Sequence, residues 1–174
     1  MTNSIKVVTI KTEELKDLPI VRKINEAAFG KPHEANIVDN LRKNCSELLS
    51  LVAVEGKEIV GHILFSPAEI EGPQGKVRGM GLAPVAVLPE RQKQGIGKLL
   101  INEGLARLRN IGCPFVIVLG HPEYYPKFGF EPASKYDINC QWANIPNGVF
   151  RINWLDTPME RRISGLAKYR EEFS

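Results

Sequence analysis

Few of the residues and segments that mark metalloproteins, disulfide-rich proteins and membrane proteins occur in this chain. Its 174 residues include only three histidines and three cysteines, and the cysteines stand far apart, at positions 45, 113 and 140. Zinc sites usually draw on ligands a few residues apart, so no metal site is expected. Three scattered cysteines fit a reducing, cytoplasmic setting most simply.

Long hydrophobic segments are missing as well. No stretch approaches the roughly 20 apolar residues of a transmembrane helix. The first 15 residues hold no apolar segment followed by a cleavage site, so no signal peptide is expected. The net charge is only +3, and this mild excess favours neither nucleic acid nor a membrane surface as a partner.

What the chain does contain indicates one globular domain. Apolar residues make up 43% and charged residues 25% of the sequence, as in ordinary globular proteins. A chain of this length can build one core but not two ordinary domains. We therefore expect a single domain over residues 1–174, with a core over about 5–155 and a C-terminal extension over 156–174, as a monomer or a homodimer.

Hydrophobic periodicity predicts a mixed order of strands and helices. The predicted elements are a strand at 5–10, helices at 15–29 and 34–45, a hairpin at 48–55 and 58–66, a strand at 78–87, a helix from Ile96, a strand at 115–119, a helical turn within 121–129, a strand from Phe130 and a last clear strand at 150–155. Residues 67–77 are predicted to be a polar link, partly extended around Ala68 and Ile70 and turning at Gly72 and Pro73. This order is typical of an α/β or α+β domain with a mixed sheet.

Several residues carry more specific structural predictions. Asp17 is a candidate N-terminal cap for the first helix, and Gly30 is its candidate stop. The helix from Ile96 is expected to bury an apolar stripe that runs to Ile111. Pro84 cannot donate a ladder hydrogen bond, so its strand is expected to lie at a sheet edge or to contain a bulge.

The most informative stretch is residues 84–109, in which an apolar strand, a glycine-bearing loop and a helix follow one another. The N–H groups of a first helical turn have no intrahelical partner, and the helix dipole adds about half a positive charge there. Gly95 and Gly97 allow the backbone to approach a ligand closely. This arrangement predicts a loop that binds a pyrophosphate.

Three phosphate-binding patterns compete for this loop. A P-loop needs Ser or Thr directly after its lysine, but Leu99 follows Lys98. A dinucleotide fingerprint needs a small residue where Leu100 stands. The third pattern, Gln/Arg-x-x-Gly-x-Gly/Ala, is met by residues 92–97 (QKQGIG). The alternative is an ordinary structural loop between a strand and a helix that binds no ligand.

A second motif, residues 124–130 (YYPKFGF), follows the next predicted strand. By itself it is typical of aromatic packing around a turn glycine. Together the two motifs resemble the GCN5-related N-acetyltransferase (GNAT) superfamily, whose CoA loop precedes a Phe-Tyr-x-x-x-Gly-Phe segment. Residues 120–125 (GHPEYY) and an ending with Lys168, Tyr169 and Phe173 are similar to the YhbS-like branch of that superfamily.

The resemblance implies a fold, a donor and a reaction. The implied GNAT acyl-CoA N-acyltransferase fold has a mixed central sheet flanked by helices, with the fourth and fifth strands splayed apart. Acetyl-CoA would be the acyl donor, without a metal, and the acetyl group would pass directly to a primary amine in a ternary complex. Tyr125 matches the tyrosine of the family and would act as the general acid. The residues implied to bind CoA are Val85, Ala86, Val87, Gln92, Lys93, Gln94, Gly95, Ile96, Gly97 and Lys98.

The group that takes the proton of the attacking amine is left open. Many members of the family use a carboxylate on the fourth strand, and residues 79–87 contain none. Candidates near the expected acceptor cleft are His33, Glu34, His121 and Glu123, each with a structural role as the alternative. Glu34 and His121 are the expected substrate contacts. The chain also lacks the Asn-x-x-Ala-x-x that precedes the tyrosine in the family, because residues 118–123 stand there.

The alternative function is an acyl-CoA-binding sensor or regulatory protein without turnover. The missing strand carboxylate favours it, and Tyr125 argues against it. Cys140 lies beyond both motifs and is expected to be a buried apolar residue and not a nucleophile. The acceptor stays open among small amines, antibiotics, peptide N-termini and protein lysines. Residues 134–174 are expected to line the acceptor cleft or to form a dimer contact.

Overall fold

Within residues 7–160 and 162–174, which it describes, the computed structural model contains three α-helices and nine β-strands. The helices are α1 Leu18–Phe29, α2 His33–Asn44 and α3 Ile96–Asn110. The strands are β1 Val8–Thr12, β2 Leu49–Glu55, β3 Glu58–Gly72, β4 Gly75–Val87, β5 Phe115–Leu119, β6 Glu131–Pro132, β7 Ile138–Cys140, β8 Phe150–Trp154 and β9 Gly165–Lys168. None of the helices within these ranges is long and apolar enough to cross a membrane.

The strands are hydrogen-bonded in the order β1-β2-β3-β4-β5-β8-β6, with β9 beside β3 and β7 beside β9. The sheet is mixed, because β1 and β2 are antiparallel whereas β4 and β5 are parallel. The predicted mixed α/β architecture is therefore confirmed. The chain forms two compact units, Met1–Leu64 with Pro84–Gly104 and Phe65–Ala83 with Leu105–Ser174. The prediction of a single domain stays a prediction.

In the first unit, α1 and α2 each bury one stripe of side chains. Buried residues recur three or four positions apart, as expected for amphipathic helices; they are Val21, Ile24 and Asn25 on α1 and Ala35, Val38 and Leu41 on α2. Strand β1 pairs antiparallel with β2, so that Val8 faces Glu55 and Thr12 faces Leu51.

The ends of α1 follow from local sequence signals. Gly30 adopts a left-handed φ of 69° and donates its N–H to the carbonyl of Glu26 at 2.9 Å, which confirms the predicted stop. Asp17 occupies the cap position, but its side chain makes no capping bond to α1. Its carboxylate instead accepts the N–H of Glu14 at 2.9 Å and closes the preceding turn. The predicted cap position of Asp17 is therefore confirmed, without a side-chain bond to α1.

In the second unit, β5 lies between two partners. It pairs in parallel with β4 from Met80–Val116 to Leu82–Val118, and antiparallel with β8 along its whole length. Residues 115–118 are all buried, which accounts for the continuous apolar sequence FVIVL. The core of this unit includes Ile70, Phe115, Ile152, Trp154 and Tyr169.

The other predicted elements correspond to observed ones with shifted ends, and residues 5 and 6 of the first predicted strand lie outside the described residues. Three predictions are wrong. Residues 67–77 are mostly strand and not a polar link, because β3 continues to Gly72 and β4 begins at Gly75, although the predicted turn after Gly72 is present. The strand at 150–155 is not the last, because β9 follows it and pairs with β3. Ile111 is 78% exposed, because α3 already ends at Asn110.

Pro84 lies inside β4, which is not an edge strand, because it stands between β3 and β5 in the sheet order. The edge alternative is therefore excluded, and a bulge at residues 83–85 stays a prediction. The parallel register with β5 ends at Leu82, two residues before the proline. The missing N–H of Pro84 thus falls beyond the part of β4 that pairs with β5.

Candidate active site

The loop predicted to bind a pyrophosphate connects β4 with α3 in the first unit. The N–H of Leu88 donates to the carbonyl of Val60 on β3 at 3.0 Å and anchors the start of the loop. Pro89–Arg91 then form a 3-10 turn, in which the Arg91 N–H donates to the carbonyl of Leu88 at 2.8 Å. The fixed φ of proline suits the first position of such a turn. The loop therefore leaves β4 as an ordered turn.

Two residues of the loop adopt left-handed backbone conformations, Lys93 with a φ of 61° and Gly95 with a φ of 85°. A Cβ on Gly95 would meet no atom within 4 Å, so glycine serves there for its backbone conformation and not for close packing. Lys93 adopts a region in which residues with a Cβ are uncommon. Turns of this kind present successive N–H groups to an anion.

Helix α3 begins directly after Gly95. The N–H of Leu99 donates to the carbonyl of Gly95 at 3.1 Å, so the N–H groups of residues 96–98 precede the first bond of the helix. They point toward the end of α3 that carries the partial positive charge of the dipole. Lys93 and Lys98 are exposed beside them. The loop thus offers an anion both backbone donors and cationic side chains.

Side chains of the loop stabilise its shape. The Nε2 atom of Gln92 donates to the carbonyl of Val87 at 3.1 Å, and that of Gln94 donates to the carbonyl of Glu90 at 3.3 Å. Arg91 forms an ion pair with the buried carboxylate of Glu55 on β2. These bonds hold the N–H groups of the loop in position independently of a ligand.

Gly61 on β3 allows α3 to approach the strand closely. A Cβ at this position would lie 3.1 Å from side-chain atoms of Ile96 and Leu100 and 3.3 Å from the carbonyl of Ala86. Ile96 and Leu100 belong to the first turns of α3, and both are buried. Gly61 therefore sets how closely the N-terminal part of α3 packs on β3.

In the second unit, Tyr125 lies in a turn that follows β5. The carbonyl of His121 accepts the N–H groups of Tyr124 and Tyr125 at 3.1 and 3.4 Å. Residues Tyr125–Phe128 form a 3-10 turn that ends at Gly129, with a left-handed φ of 91°. This confirms the helical turn predicted within residues 121–129.

The Tyr125 ring is buried against the backbone of Gly120. A Cβ on Gly120 would lie 2.0 Å from Cε2 of the ring, so only glycine fits there with the ring in place. The rings of Tyr124 and Phe130 lie 5.3 and 5.5 Å away, both edge-on. Burial, with a smaller contribution from Tyr124, raises the pKa of Tyr125 to about 12. The hydroxyl therefore keeps its proton at neutral pH.

Two side chains of β8 hold the turn that carries Tyr125. The Nδ2 atom of Asn153 donates to the carbonyl of Phe128 at 2.8 Å. The guanidinium of Arg151, which is buried, donates to the carbonyl of Phe130 at 3.2 Å. Polar side chains in an otherwise apolar strand thus provide hydrogen bonds to the backbone carbonyls on both sides of Gly129.

The remaining candidates differ in their surroundings. Glu34 on α2 has one carboxylate oxygen, Oε2, that is buried and has no hydrogen-bond partner among the described residues. Its other oxygen lies 3.7 Å from the Nζ atom of Lys31. Cys140 is half-buried, and burial raises the pKa of its thiol, which makes it a poor nucleophile. The fully exposed candidates are His33, His121 and Glu123.

Sequence reasoning missed Gly61, Gly120 and Asn153. A glycine within or after a strand has many causes, so Gly61 and Gly120 gave no specific signal. The asparagine at position 153 interrupts the apolar alternation of FRINW, and a polar residue at a core position is a signal for a buried hydrogen bond. Its partner on the Tyr125 turn is visible only in the folded chain.

The chain matches known proteins over most of its length. A family model described as an acetyltransferase (GNAT) domain matches residues 9–133. The Escherichia coli (strain K12) protein described as uncharacterized N-acetyltransferase YhbS is 31% identical over 166 residues, which are 95% of this chain and 98% of that protein. The uncharacterized N-acetyltransferase YjhQ of the same strain is 41% identical over 128 residues, which are 72% of this chain and 71% of that protein.

Solved structures agree with these matches. The crystal structure of Escherichia coli YhbS in complex with CoA superposes with a TM-score of 0.89 at 30% identity, over 99% of this chain and 95% of that one. A GNAT family acetyltransferase from Brucella melitensis in complex with acetyl-CoA has a TM-score of 0.78 at 35% identity, over 97% and 99% of the two chains. This chain therefore belongs to the GNAT family of N-acetyltransferases.

Proposed function

We propose that this protein transfers the acetyl group of acetyl-CoA to a primary amine, and that the loop between β4 and α3 binds the pyrophosphate of the donor. The conformation of this loop carries the proposal, because left-handed residues at Lys93 and Gly95 lead directly into the N-terminus of α3. Backbone N–H groups and a helix dipole favour a doubly charged pyrophosphate. The ligands in the YhbS and Brucella melitensis structures, CoA and acetyl-CoA, support the same donor here.

Ten residues of β4, the loop and α3 are assigned to CoA. The backbone of β4 would bind the pantetheine arm at Val85, Ala86 and Val87, and the N–H groups of residues 92–98 would bind the pyrophosphate. Val85 and Val87 are half-buried and alternate with the buried Ala86. The register of β4 with β5 ends at Leu82, so these three residues follow the segment that pairs with β5, which supports the assignment.

The reaction proceeds in a ternary complex by direct attack of the amine nitrogen on the thioester carbonyl. A backbone N–H of β4 stabilises the oxyanion that forms, and the C–S bond then breaks. Tyr125 donates its hydroxyl proton to the departing thiolate. An ordinary thiol has a pKa of about 8.5. Because burial raises the pKa of Tyr125 to about 12, this proton transfer is uphill to an ordinary thiolate, and it is coupled to the breaking of the C–S bond.

Glu34 and His121 are assigned to the acceptor. The Oε2 atom of Glu34 is buried and lacks a partner among the described residues, and a carboxylate oxygen in that state is a ready acceptor for a protonated amine. His121 is exposed at the turn before Tyr125, where its imidazole can hydrogen-bond an amine. A primary amine is the acceptor class that both groups suit.

An acyl-CoA sensor without turnover is the second candidate. It is favoured by the absence of any carboxylate from residues 79–87, where many GNAT enzymes carry their general base. A sensor needs the CoA loop but has no use for a proton donor. The two functions therefore differ in what the Tyr125 hydroxyl contributes.

The donor site is tested by calorimetry with acetyl-CoA, CoA and ATP. Micromolar binding of acetyl-CoA and CoA is expected, with no heat from ATP. Gly95→Ala should weaken CoA binding at least tenfold, because an alanine is strained at a φ of 85°. Gly30→Ala is the matched control, because Gly30 has a similar φ of 69° and equally open surroundings. Absence of binding to the unmodified protein would overturn both the enzyme and the sensor.

The acid is tested by thiol release from acetyl-CoA with a panel of primary amines. Tyr125→Phe keeps the buried ring and should lower kcat by about 10²–10⁴ while CoA affinity is retained. Tyr124→Phe is the control, since its ring is only half-buried beside Tyr125. An unchanged kcat in Tyr125→Phe would exclude the acid role, and no turnover of any amine by the unmodified protein would favour the sensor.

A further inference from the structure

A tyrosine near the end of the chain contacts both β4 and β5 where their parallel register ends. Tyr169 directly follows β9 and is only 7% exposed. Its hydroxyl oxygen lies 3.2 Å from the carbonyl oxygen of Leu82 on β4 and 3.1 Å from that of Ile117 on β5. Leu82 pairs with Val118 in the last pair of the β4–β5 register. One hydroxyl proton is thus shared between carbonyls of the two strands.

The Tyr169 ring reaches this position because Gly81 has no side chain. A Cβ on Gly81 would lie 2.4 Å from Cε1 of the ring and 2.7 Å from Cδ1. Gly79, two residues earlier on the same face of β4, is similarly close to Phe115. The unusual GMG sequence of β4 is therefore explained by rings that lie directly on the strand.

Neighbouring groups fix the position of Tyr169. Its N–H donates to the Oε1 atom of Gln141 at 2.5 Å. The rings of Trp142 and Phe173 lie 5.6 and 5.0 Å from its ring. Burial raises the pKa of Tyr169 well above its ordinary value, so the hydroxyl is a permanent donor. Its contact with the two carbonyls is thus a lasting feature of the second unit.

We propose that Tyr169 is a positioning residue for the acyl donor. By bridging the carbonyls of Leu82 and Ile117, its hydroxyl fixes the point at which the β4–β5 ladder ends. The residues of β4 assigned to the pantetheine arm begin three positions later, at Val85, and their backbone direction depends on that point. This inference rests on the proposed function, because the bridge serves catalysis only if β4 binds the donor.

Tyr169→Phe tests the bridge, because it removes the hydroxyl and keeps the ring. One lost hydrogen bond of ordinary net strength should raise the Kd for acetyl-CoA about three- to tenfold. Misplacement of the oxyanion donor on β4 should lower kcat as well. Tyr136→Phe is the matched control in the same unit, since it loses a hydroxyl bonded to Glu131 and should leave both constants unchanged.

Hydrogen exchange separates positioning from general destabilisation. In Tyr169→Phe the amides of Leu82 and Leu119 should exchange about tenfold faster, while those of β8 keep their protection. Uniformly faster exchange across β5 and β8, with an unchanged Kd, would show that the hydroxyl only stabilises the fold.

The outcomes distinguish this inference from the proposed function. If the unmodified protein does not bind acetyl-CoA, the proposed function fails. If it binds and Tyr169→Phe binds equally tightly, only the bridge is overturned. Should Tyr169→Phe not fold, Gln141→Ala perturbs the same tyrosine through its N–H, and an about two- to threefold higher Kd is expected, from roughly half of the hydrogen-bond free energy. An unchanged Kd in that variant would equally refute the bridge.

Discussion

Lowering the pH from 7 to 5 should destabilise the first unit through His62, which lies on β3 and is fully buried. The Nδ2 atom of Asn25 donates to the carbonyl of Val21 at 3.0 Å and lies 3.0 Å from Nδ1 of His62. Nδ1 is therefore the acceptor of the ring. Nε2, 2.9 Å from the Ser50 hydroxyl, carries the proton. If Nδ1 were protonated, its N–H would face the N–H donor of Asn25 Nδ2, and neither would have an acceptor there.

Burial lowers the pKa of His62 to about 3, and the positive charge of Arg42 acts in the same direction. The carboxylate of Glu13 lies 3.9 Å from Nε2 and favours protonation, but it is ion-paired with Arg42, so burial dominates. The unfolded chain, with a pKa near 6.5, binds the proton more tightly than the folded one. The stabilisation is therefore complete above pH 6.5 and is lost as the pH falls toward 3.

The expected loss is about 2 kcal/mol between pH 7 and pH 5, from about 1.4 kcal/mol for each pH unit below 6.5. Urea unfolding at both pH values measures it as the difference between the unmodified protein and His62→Gln, which cannot titrate. His33→Gln is the control, because His33 is exposed. If the free energy of unfolding falls equally in the unmodified protein and in His62→Gln, the buried neutral histidine is refuted. It is also refuted if His33→Gln abolishes the fall.

Three further predictions concern the candidate site. Gly120→Ala should lower kcat and leave the Kd for CoA unchanged, because its Cβ would lie 2.0 Å from the Tyr125 ring; an unaltered kcat would contradict this. Gly61→Ala should lower the free energy of unfolding by about 1–3 kcal/mol and weaken CoA binding, since α3 must move away from the strand; calorimetry and urea unfolding measure both. The Kd for acetyl-CoA should rise between about 50 mM and about 300 mM KCl, because Lys93 and Lys98 are exposed and therefore screened; a salt-independent Kd would exclude their role.

The sequence predicted the elements that depend on neighbouring residues. The apolar strand at 115–119, the stop at Gly30 and the start of α3 after Gly95 are all present, because periodicity and glycine conformation are local properties. The family was predictable for the same reason, since its two motifs are contiguous. The full length of the β3–β4 hairpin was missed, because the residues at its tip are polar and exposed and do not show the hydrophobic pattern of a strand.

The sequence by itself therefore determined the mixed architecture, the CoA loop motif and the tyrosine of the Tyr125 turn. Tertiary structure alone decided how the glycines at 61, 81 and 120 are used, because the atoms that a Cβ would meet belong to distant segments. It also decided that Pro84 stands beyond the part of β4 that pairs with β5, and that Tyr169 bridges β4 and β5. Such contacts join residues up to 88 positions apart, and a local pattern carries no information about distances of that kind.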